Sequence, residues 1–181
     1  MRQPLDRTRL RAVLAELGRA AGGPATLYLV GGATAIDLGW RGSTIDIDIV
    51  IEPDRDDVMH AIPGIKERLN VSIEFASPLD FLPELPGWRD RSPYVMRVGA
   101  MTVRHFDPYA QALAKLERGF DQDRADVDAL LARGLVDPTE LRRLLAAIES
   151  SLYRFPAVDA PSLRAAVDRV TLRIGEAPPH A

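Results

Sequence analysis

Two aspartates, Asp46 and Asp48, stand one residue apart in the otherwise apolar segment IDIDIVI. Side chains alternate between the faces of a β-strand, so both carboxylates would share one face, about 7 Å apart, with Ile45, Ile47 and Ile49 packed inward on the other. Neighbouring carboxylates repel each other unless a cation lies between them or one is protonated. A hard divalent cation, Mg²⁺ or Mn²⁺, removes that repulsion and keeps positions for phosphate ligands. The spacing therefore predicts a metal platform for a nucleotide.

A glycine pair, Gly31 and Gly32, follows the predicted strand 27–30 and precedes the predicted helix 33–38. Backbone without Cβ atoms allows a triphosphate to approach closely, and the N–H groups and dipole at a helix N-terminus favour an anion. Three polar residues shortly before the carboxylates add a cation and two hydroxyls: Arg41, Ser43 and Thr44. A glycine pair alone is often only a tight turn. In this order, within one strand–helix–strand unit, the groups predict a site for nucleotide phosphates.

Hydrophobic periodicity, together with the glycines and prolines that break helices and strands, predicts the secondary-structure elements that must position these groups. They predict helices over 6–20, 33–38 and 54–69, the last interrupted at Pro63-Gly64, and strands over 27–30, 45–51 and 71–75. A hairpin, 94–98 and 101–106, follows and turns at Gly99-Ala100. The remainder is predicted helical, with N-caps at Asp107 and Asp137, a capping box at Glu140 and a last helix over 159–174.

The segment 76–94 lies between these parts and contains four prolines. It predicts a long irregular connection with the exposed aromatics Phe81, Trp88 and Tyr94, which is typical of a lid, a binding loop or disorder. The fold class is therefore α/β (α+β): a small mixed β-sheet core flanked by helices, with a C-terminal helical part. We expect domains at 1–107 and 108–181.

The composition excludes several classes of protein. The 181 residues contain no cysteine, which excludes disulfides, cysteine-bound zinc and thiol nucleophiles. The net charge of -3 excludes a globally basic nucleic-acid binder. No apolar run approaches the roughly 20 residues that span a membrane. The N-terminus lacks the continuous apolar core of a signal peptide. With the absence of cysteine, we expect a protein of the reducing cytoplasm without membrane contact.

The stretch LVGG, followed by a helix and then STIDIDI, resembles the nucleotidyltransferases of the DNA polymerase-β superfamily. In that family a Gly-Gly or Gly-Ser turn precedes an Asp-x-Asp or Asp-x-Glu pair. The resemblance implies that a nucleoside monophosphate passes from an NTP to an acceptor and that pyrophosphate leaves. It implies metal ions at Asp46 and Asp48 and a nucleotide at Gly31, Gly32 and Ser43. Many members carry a third metal carboxylate on a neighbouring strand, for which Glu74 is the candidate.

A second block, FDPYAQALAKLERGFDQDRADVDALL, resembles the latter part of the AbiE-type toxin nucleotidyltransferases of bacterial toxin–antitoxin systems. There, a helical lysine is followed by an arginine and an Asp-x-x-Asp pair, which match Lys115, Arg118, Asp123 and Asp126. A lysine ammonium is a compact charge suited to a phosphate. Asp126 would orient Lys115 or the attacking hydroxyl, or act as base. The alternatives are an ordinary surface lysine for Lys115 and a helix N-cap for Asp123.

The main hypothesis is a metal-dependent nucleotidyltransferase that modifies RNA at a tRNA 3′ end, acts as a toxin and has a cognate antitoxin. Trp88, Tyr94 and the arginines of the first helix are candidates for gripping a single-stranded end. For the arginines, the alternative is a solvated face. For His105, the alternatives are a contact to a base or phosphate and a packed residue. One alternative acceptor is a small molecule of the aminoglycoside type, bound by acidic residues of the proline-rich segment: Asp80, Glu84 and Asp90. Another alternative is a non-catalytic nucleotide- or partner-binding protein on the same fold.

Overall fold

The computed structural model describes residues 4–175, which form two compact units. The first unit comprises the described residues up to Ser77 together with Ser92–Phe106, and it contains the β-sheet. The second comprises Pro78–Arg91 and the described residues from Asp107 on, and it is helical. This mixed architecture confirms the predicted fold class. The domains predicted at 1–107 and 108–181 stay a prediction, although 78–91 groups with the later residues.

Five strands form the sheet in the order β3-β2-β1-β5-β4. They are β1 (Ala25–Val30), β2 (Asp46–Glu52), β3 (Ser72–Phe75), β4 (Tyr94–Val98) and β5 (Met101–His105). Strand β1 runs antiparallel to β2 and parallel to β5, while β2 and β3 are parallel and β4 and β5 form the predicted hairpin. The predicted strands are thus confirmed, and the strand with both aspartates lies inside the sheet.

Three helices accompany the sheet in the first unit: α1 (Arg7–Ala20), α2 (Gly31–Asp37) and α3 (Asp56–Leu69). The carboxylate of Asp6 caps α1 by accepting a hydrogen bond from the Arg9 N–H at 2.8 Å. Helix α3 continues through Pro63, so the predicted interruption is wrong. Ile62 and Ile65, on either side of that proline, are both buried in the core and hold the two halves in line.

Alternate side chains of β1, β2 and β5 face this core, including Leu29, Ile47, Ile49 and Val103. Ile45 is an exception, because it is 66% exposed and precedes the first residue of β2. The prediction that it packs inward is therefore wrong. The strand begins at Asp46, where pairing with β3 begins at Ser72.

The second unit contains α4 (Trp88–Arg91), α5 (Pro108–Arg118), α6 (Asp121–Ala132), α7 (Pro138–Ile148) and α8 (Ala160–Gly175), with 3₁₀ turns at Pro78–Asp80 and Glu149–Arg154. Asp107 and Asp137 cap α5 and α7, as predicted, by accepting from the N–H groups of Tyr109 at 3.1 Å and Glu140 at 2.8 Å. The capping box is incomplete. The Asp137 N–H donates to the Tyr109 hydroxyl at 3.1 Å, and the Glu140 carboxylate accepts from Arg143 at 2.6 Å.

The proline-rich segment is irregular apart from the 3₁₀ turn at Pro78–Asp80 and the short helix α4, as predicted, but the prediction that Trp88 is exposed is wrong. Trp88 is 1% exposed, and its Nε1–H donates to Glu84 Oε1 at 2.7 Å. Arg91 donates to both carboxylate oxygens of Asp107, at 2.6 and 3.3 Å. Burial raises the pKa of Asp107, even though the hydrogen bonds and charge of Arg91 oppose the shift. Phe81 and Tyr94, the other two aromatics predicted to be exposed in this segment, are exposed. Over residues 4–175, no helix combines the length and apolar character required to cross a membrane.

Candidate functional site

The carboxylates of Asp46 and Asp48 share one face of β2, as predicted. Both side chains are half-buried, whereas Ile47 and Ile49 between and beyond them are buried in the core on the other face. Strand β3 brings Glu74 level with Asp48, and residues paired in this way project from the same face of a parallel sheet. Glu74 is exposed, and its carboxylate accepts a hydrogen bond from the Ser72 hydroxyl at 3.3 Å. Three carboxylates therefore line one face of two adjacent strands.

The glycine turn lies directly against this acidic face. Gly31 has φ +56°, in the left-handed region that favours glycine, and a Cβ there would lie 3.1 Å from Asp48 Oδ2. A Cβ on Gly32 would lie 2.4 Å from Thr44 Oγ1 and 3.2 Å from Arg41 Nη1. A side chain at Gly32 would clash with Thr44, and one at Gly31 would crowd Asp48 and strain the left-handed backbone. Within the first unit, Gly31 thus lies next to Asp48, and Gly32 lies next to Thr44 and Arg41.

Thr44 is the hydroxyl residue that meets the glycine turn, while the predicted Ser43 is exposed. Backbone hydrogen bonds in both directions with Leu5, at 2.8 and 3.0 Å, hold Thr44 in place. The sequence itself indicates that Thr44, rather than Ser43, faces the glycine turn. Thr44, Asp46 and Asp48 are two residues apart, and strand alternation directs such residues to one face.

The carboxylates fit a hard divalent cation by the chemistry of the donor set. Among residues 4–175, no three histidine or carboxylate side chains converge closely enough to hold a metal ion by themselves. Mg²⁺ is commonly bound by one or two carboxylates and completes its coordination with water and substrate phosphates. Asp46 and Asp48 could supply such carboxylates, with Glu74 next to Asp48. The metal itself stays a prediction.

The second predicted group forms a buried cluster between α5 and α6. Lys115 is 7% exposed, and its Nζ lies 2.6 Å from Asp126 Oδ2 and 3.3 Å from Asp123 Oδ1. Arg118 donates to both oxygens of Asp123, at 2.6 and 3.2 Å. Lys115 is therefore not an ordinary surface lysine. Asp123 is not an N-cap either, because Phe120 occupies that position of α6.

The two cations and two carboxylates of this cluster balance in charge. An ammonium has three N–H donors, and two of those of Lys115 are directed at Asp123 and Asp126. Because Asp126 Oδ2 already accepts from the Lys115 ammonium at 2.6 Å, the geometry favours the orienting role of Asp126 over the role of base. The prediction that Lys115 serves the same reaction as Asp46 and Asp48 stays a prediction.

The arginines of α1 are engaged within the first unit. Arg7 and Arg11 both pair with Asp37, and Arg19 pairs with Glu16. Arg9 donates to the Leu69 carbonyl at the end of α3, at 2.7 Å. The contacts of Arg7, Arg9 and Arg11 join α1 to α2 and α3, whereas the Arg19–Glu16 pair lies within α1. Arg7 and Arg19 are exposed, as the solvated-face interpretation predicts. His105 is 4% exposed, so its interpretation as a packed residue is confirmed.

Comparisons with known proteins give one family and one similar solved structure. A family model described as "Nucleotidyltransferase of unknown function (DUF6036)" matches residues 9–166, which include both groups of predicted site residues. Among solved structures, the chain is similar to the crystal structure of an antigenic nucleotidyltransferase-like protein from Paracoccidioides brasiliensis. The two are 14% identical, with 92% of this chain and 95% of that chain covered, at a TM-score of 0.49. Among curated protein sequences, none matches the chain.

Proposed function

Since the chain belongs to the family of nucleotidyltransferases of unknown function DUF6036, we propose that it transfers a nucleoside monophosphate from an NTP to a hydroxyl acceptor. The observation that carries this proposal is the contact of the glycine turn with the acidic face, where a Cβ on Gly31 would lie 3.1 Å from Asp48 Oδ2. A stretch of backbone that phosphates can approach thus lies beside carboxylates that are suited to a metal, as nucleotidyl transfer requires.

In this reaction the acceptor oxygen bonds to the α-phosphorus, and the bond from that phosphorus to the bridging oxygen of the β-phosphate breaks. Pyrophosphate leaves with the electron pair of that bond, and the proton of the acceptor hydroxyl passes to solvent. Asp46 and Asp48 would hold Mg²⁺ or Mn²⁺, and Glu74, next to Asp48 in the sheet register, is the candidate for a further oxygen donor. A bound ion would supply positive charge for the triphosphate and a lower pKa for the attacking hydroxyl.

The remaining groups of the first unit would bind the triphosphate. Gly31 and Gly32 admit its β- and γ-phosphates close to the backbone because neither has a Cβ. The Thr44 hydroxyl and the Arg41 guanidinium, which both lie over Gly32, are suitable donors to phosphate oxygens. Ser43 remains a further candidate. The resemblance assigns Lys115, Arg118 and Asp126 to the same reaction, and we include them in the proposal on that ground.

The acceptor that we propose is RNA, with a tRNA 3′ end as the form implied by the resemblance to toxin nucleotidyltransferases. Tyr94, which is 61% exposed, remains a candidate for stacking on a base, whereas the buried Trp88 does not. A toxic role in the cytoplasm and a cognate antitoxin belong to the same proposal. No observation favours an aminoglycoside-type acceptor, since Glu84, one of its three acidic candidates, already accepts from Trp88 and Arg89.

The test is a label-transfer assay. The protein is incubated with Mg²⁺ or Mn²⁺, each α-³²P-labelled NTP in turn, total tRNA and, in parallel, an aminoglycoside panel. We expect label in tRNA and a loss of about 100-fold or more for Asp46→Asn and Asp48→Asn. Asp54→Asn is the matched control, because Asp54 is an exposed carboxylate just beyond β2. It should retain the wild-type rate.

Two outcomes would overturn the proposal. The first is the absence of label in every acceptor with every NTP. The second is transfer at the wild-type rate by both asparagine variants. Label in an aminoglycoside alone would keep the chemistry and refute the RNA acceptor. The toxic role is tested by inducible expression, where growth arrest by the wild type should be relieved by Asp46→Ala, and equal toxicity of that variant would refute the mechanism.

A further inference from the structure

Helix α2, which begins with the glycine turn, is too short to be stable without contacts to its neighbours. It has seven residues, and Val30 at its N-cap provides no side-chain hydrogen bond. Isolated helices shorter than about 12 residues are marginal in water, so contacts with neighbouring elements must determine where α2 lies. The placement of Gly31 against Asp48 therefore depends on what anchors the rest of this helix.

A buried polar cluster anchors α2 one and two turns after the glycines. Thr34, Asp37 and His105 are all buried, at 2%, 5% and 4% exposure. His105 Nε2 lies 3.3 Å from Asp37 Oδ2, and Nδ1 lies 3.4 Å from Thr34 Oγ1. The Thr34 hydroxyl also donates to the Leu29 carbonyl of β1 at 2.9 Å. One imidazole on β5 thus contacts two successive turns of α2.

Two contacts fix the imidazole against α2. Ionised Asp37 has no proton to give, so its Oδ2 accepts from Nε2–H of His105. On the other side of the ring, Nδ1 lies beside the Thr34 hydroxyl, which itself is hydrogen-bonded to the Leu29 carbonyl. The imidazole is held in one orientation by two polar groups that belong to the same short helix.

Asp37 also connects α2 to α1. Its Oδ1 pairs with Arg11, and Arg7 Nε lies 3.5 Å away. Burial raises the pKa of Asp37, but the hydrogen bond from His105 and the charge of Arg11 outweigh it and hold the pKa below its ordinary value. Asp37 is therefore ionised at neutral pH. The groups that face it are the cations Arg7 and Arg11 from α1 and the imidazole of His105 from β5.

We propose that His105 and Asp37 are positioning residues that fix α2 so that Gly31 rests against Asp48 and Gly32 against Thr44. This inference rests on the proposed function for its catalytic consequence. A Cβ at Gly31 would already be only 3.1 Å from Asp48 Oδ2, so a small displacement of α2 changes the space between turn and carboxylate. Apolar side chains would satisfy packing equally well, whereas directed polar contacts define the orientation of the helix.

His105→Leu is the main test variant. It removes the contacts of the imidazole, yet it leaves Asp37 paired with Arg11 and leaves the Thr34 bond to Leu29. No buried charge becomes unpaired, so the variant is expected to fold. His105→Gln is the conservative variant, because its amide can donate to Asp37. His60→Leu is the matched control, since His60 lies exposed on α3.

Three measurements are made on the full chain: hydrogen–deuterium exchange, NTP affinity by calorimetry with Mg²⁺, and kcat and KM of label transfer. For His105→Leu we expect faster exchange within 31–37 and unchanged exchange within 7–20, together with a loss of about 100-fold in kcat from the misplaced turn. NTP affinity should also fall. His105→Gln should recover part of each loss, and His60→Leu should equal the wild type.

The inference is overturned if His105→Leu has the wild-type rate of hydrogen–deuterium exchange over 31–37 and the wild-type kcat. It is also overturned if exchange rises equally in α1 and α2, because the residue would then only stabilise the first unit as a whole. Failure of the proposed function gives a different result, namely a wild type that binds no NTP and transfers no label. The exchange data alone would then decide whether the cluster positions α2.

Discussion

Replacing Gly32 with alanine should destabilise the glycine turn through one identifiable contact. The added Cβ would lie 2.4 Å from Thr44 Oγ1 and 3.0 Å from Thr44 Cβ. Thr44 cannot move away easily, because two backbone hydrogen bonds with Leu5 hold it. The alanine must therefore displace α2 or distort the chain around residue 44.

The magnitude follows from two opposing effects. Overpacking by a methyl group costs about 1–3 kcal/mol, while alanine in place of glycine in a helix returns about 0.5–1 kcal/mol. We expect Gly32→Ala to lower the free energy of unfolding by about 0.5–2 kcal/mol. Thr44→Ala removes the oxygen of the closest contact but keeps the Cβ, so the double variant should recover part of the loss, with a coupling energy of about 1 kcal/mol.

Urea unfolding of the wild type, both single variants and the double variant measures this coupling. Gly42→Ala is the matched control, because a Cβ there meets no atom within 4 Å and the backbone lies outside the left-handed region. It should stay within about 0.5 kcal/mol of the wild type. Gly32→Ala should also weaken NTP binding, measured by calorimetry. A fully stable Gly32→Ala variant, or additive effects in the double variant, would refute the contact between the turn and Thr44.

Two further predictions concern buried charges. Lys115→Met should lower the free energy of unfolding by about 3–5 kcal/mol, since it leaves Asp126 buried without its cation, and adding Asp126→Asn should restore much of that loss in urea unfolding. Lys66→Met, which removes only a bond to the Ile73 carbonyl, should cost far less, and an equal loss would contradict this assignment. The lowered pKa of Asp37 contributes stability that is present above its unfolded pKa of about 3.9 and is lost as the pH falls through its folded value. Thermal melts between pH 2 and 6 should therefore fall less steeply for Asp37→Asn than for the wild type, and parallel curves would exclude this contribution.

Local patterns predicted most of the secondary structure because they depend on local physics. Alternation correctly put Asp46 and Asp48 on the face opposite Ile47, and Asp107 capped its helix as its sequence context indicates. Ile45 was mispredicted because the end of a strand depends on its partners. Pairing with β3 begins at the residue after Ile45. Periodicity within one segment contains no information about that register.

In the candidate site, too, local contacts were predictable from the sequence and long-range contacts were not. The glycines, Arg41 and the aspartates come from one contiguous stretch, and the structure brings the glycines to Asp48 and Arg41. The contacts that sequence reasoning missed join residues far apart in the chain. His105 reaches Asp37 across 68 positions, and the aromatic body of Trp88 is buried although its segment is rich in proline. Such contacts depend on the topology of the sheet and on packing, which no single segment encodes.

The interleaving of the two units along the chain has a consequence for the order of folding during synthesis. Pro78–Arg91 leaves the ribosome before its partner Asp107, and it lies between two parts of the sheet unit. Strand β1 must wait for β5, its neighbour in the sheet, until residue 105 has been made. A chain cut after Ser77 therefore lacks two strands, and one that starts at Asp107 lacks the segment that binds its first helix cap. A cut after Phe106 keeps the whole sheet unit but separates Pro78–Arg91 from the rest of the helical unit. The nascent protein therefore completes the sheet unit first, while Pro78–Arg91 waits for the helices that follow.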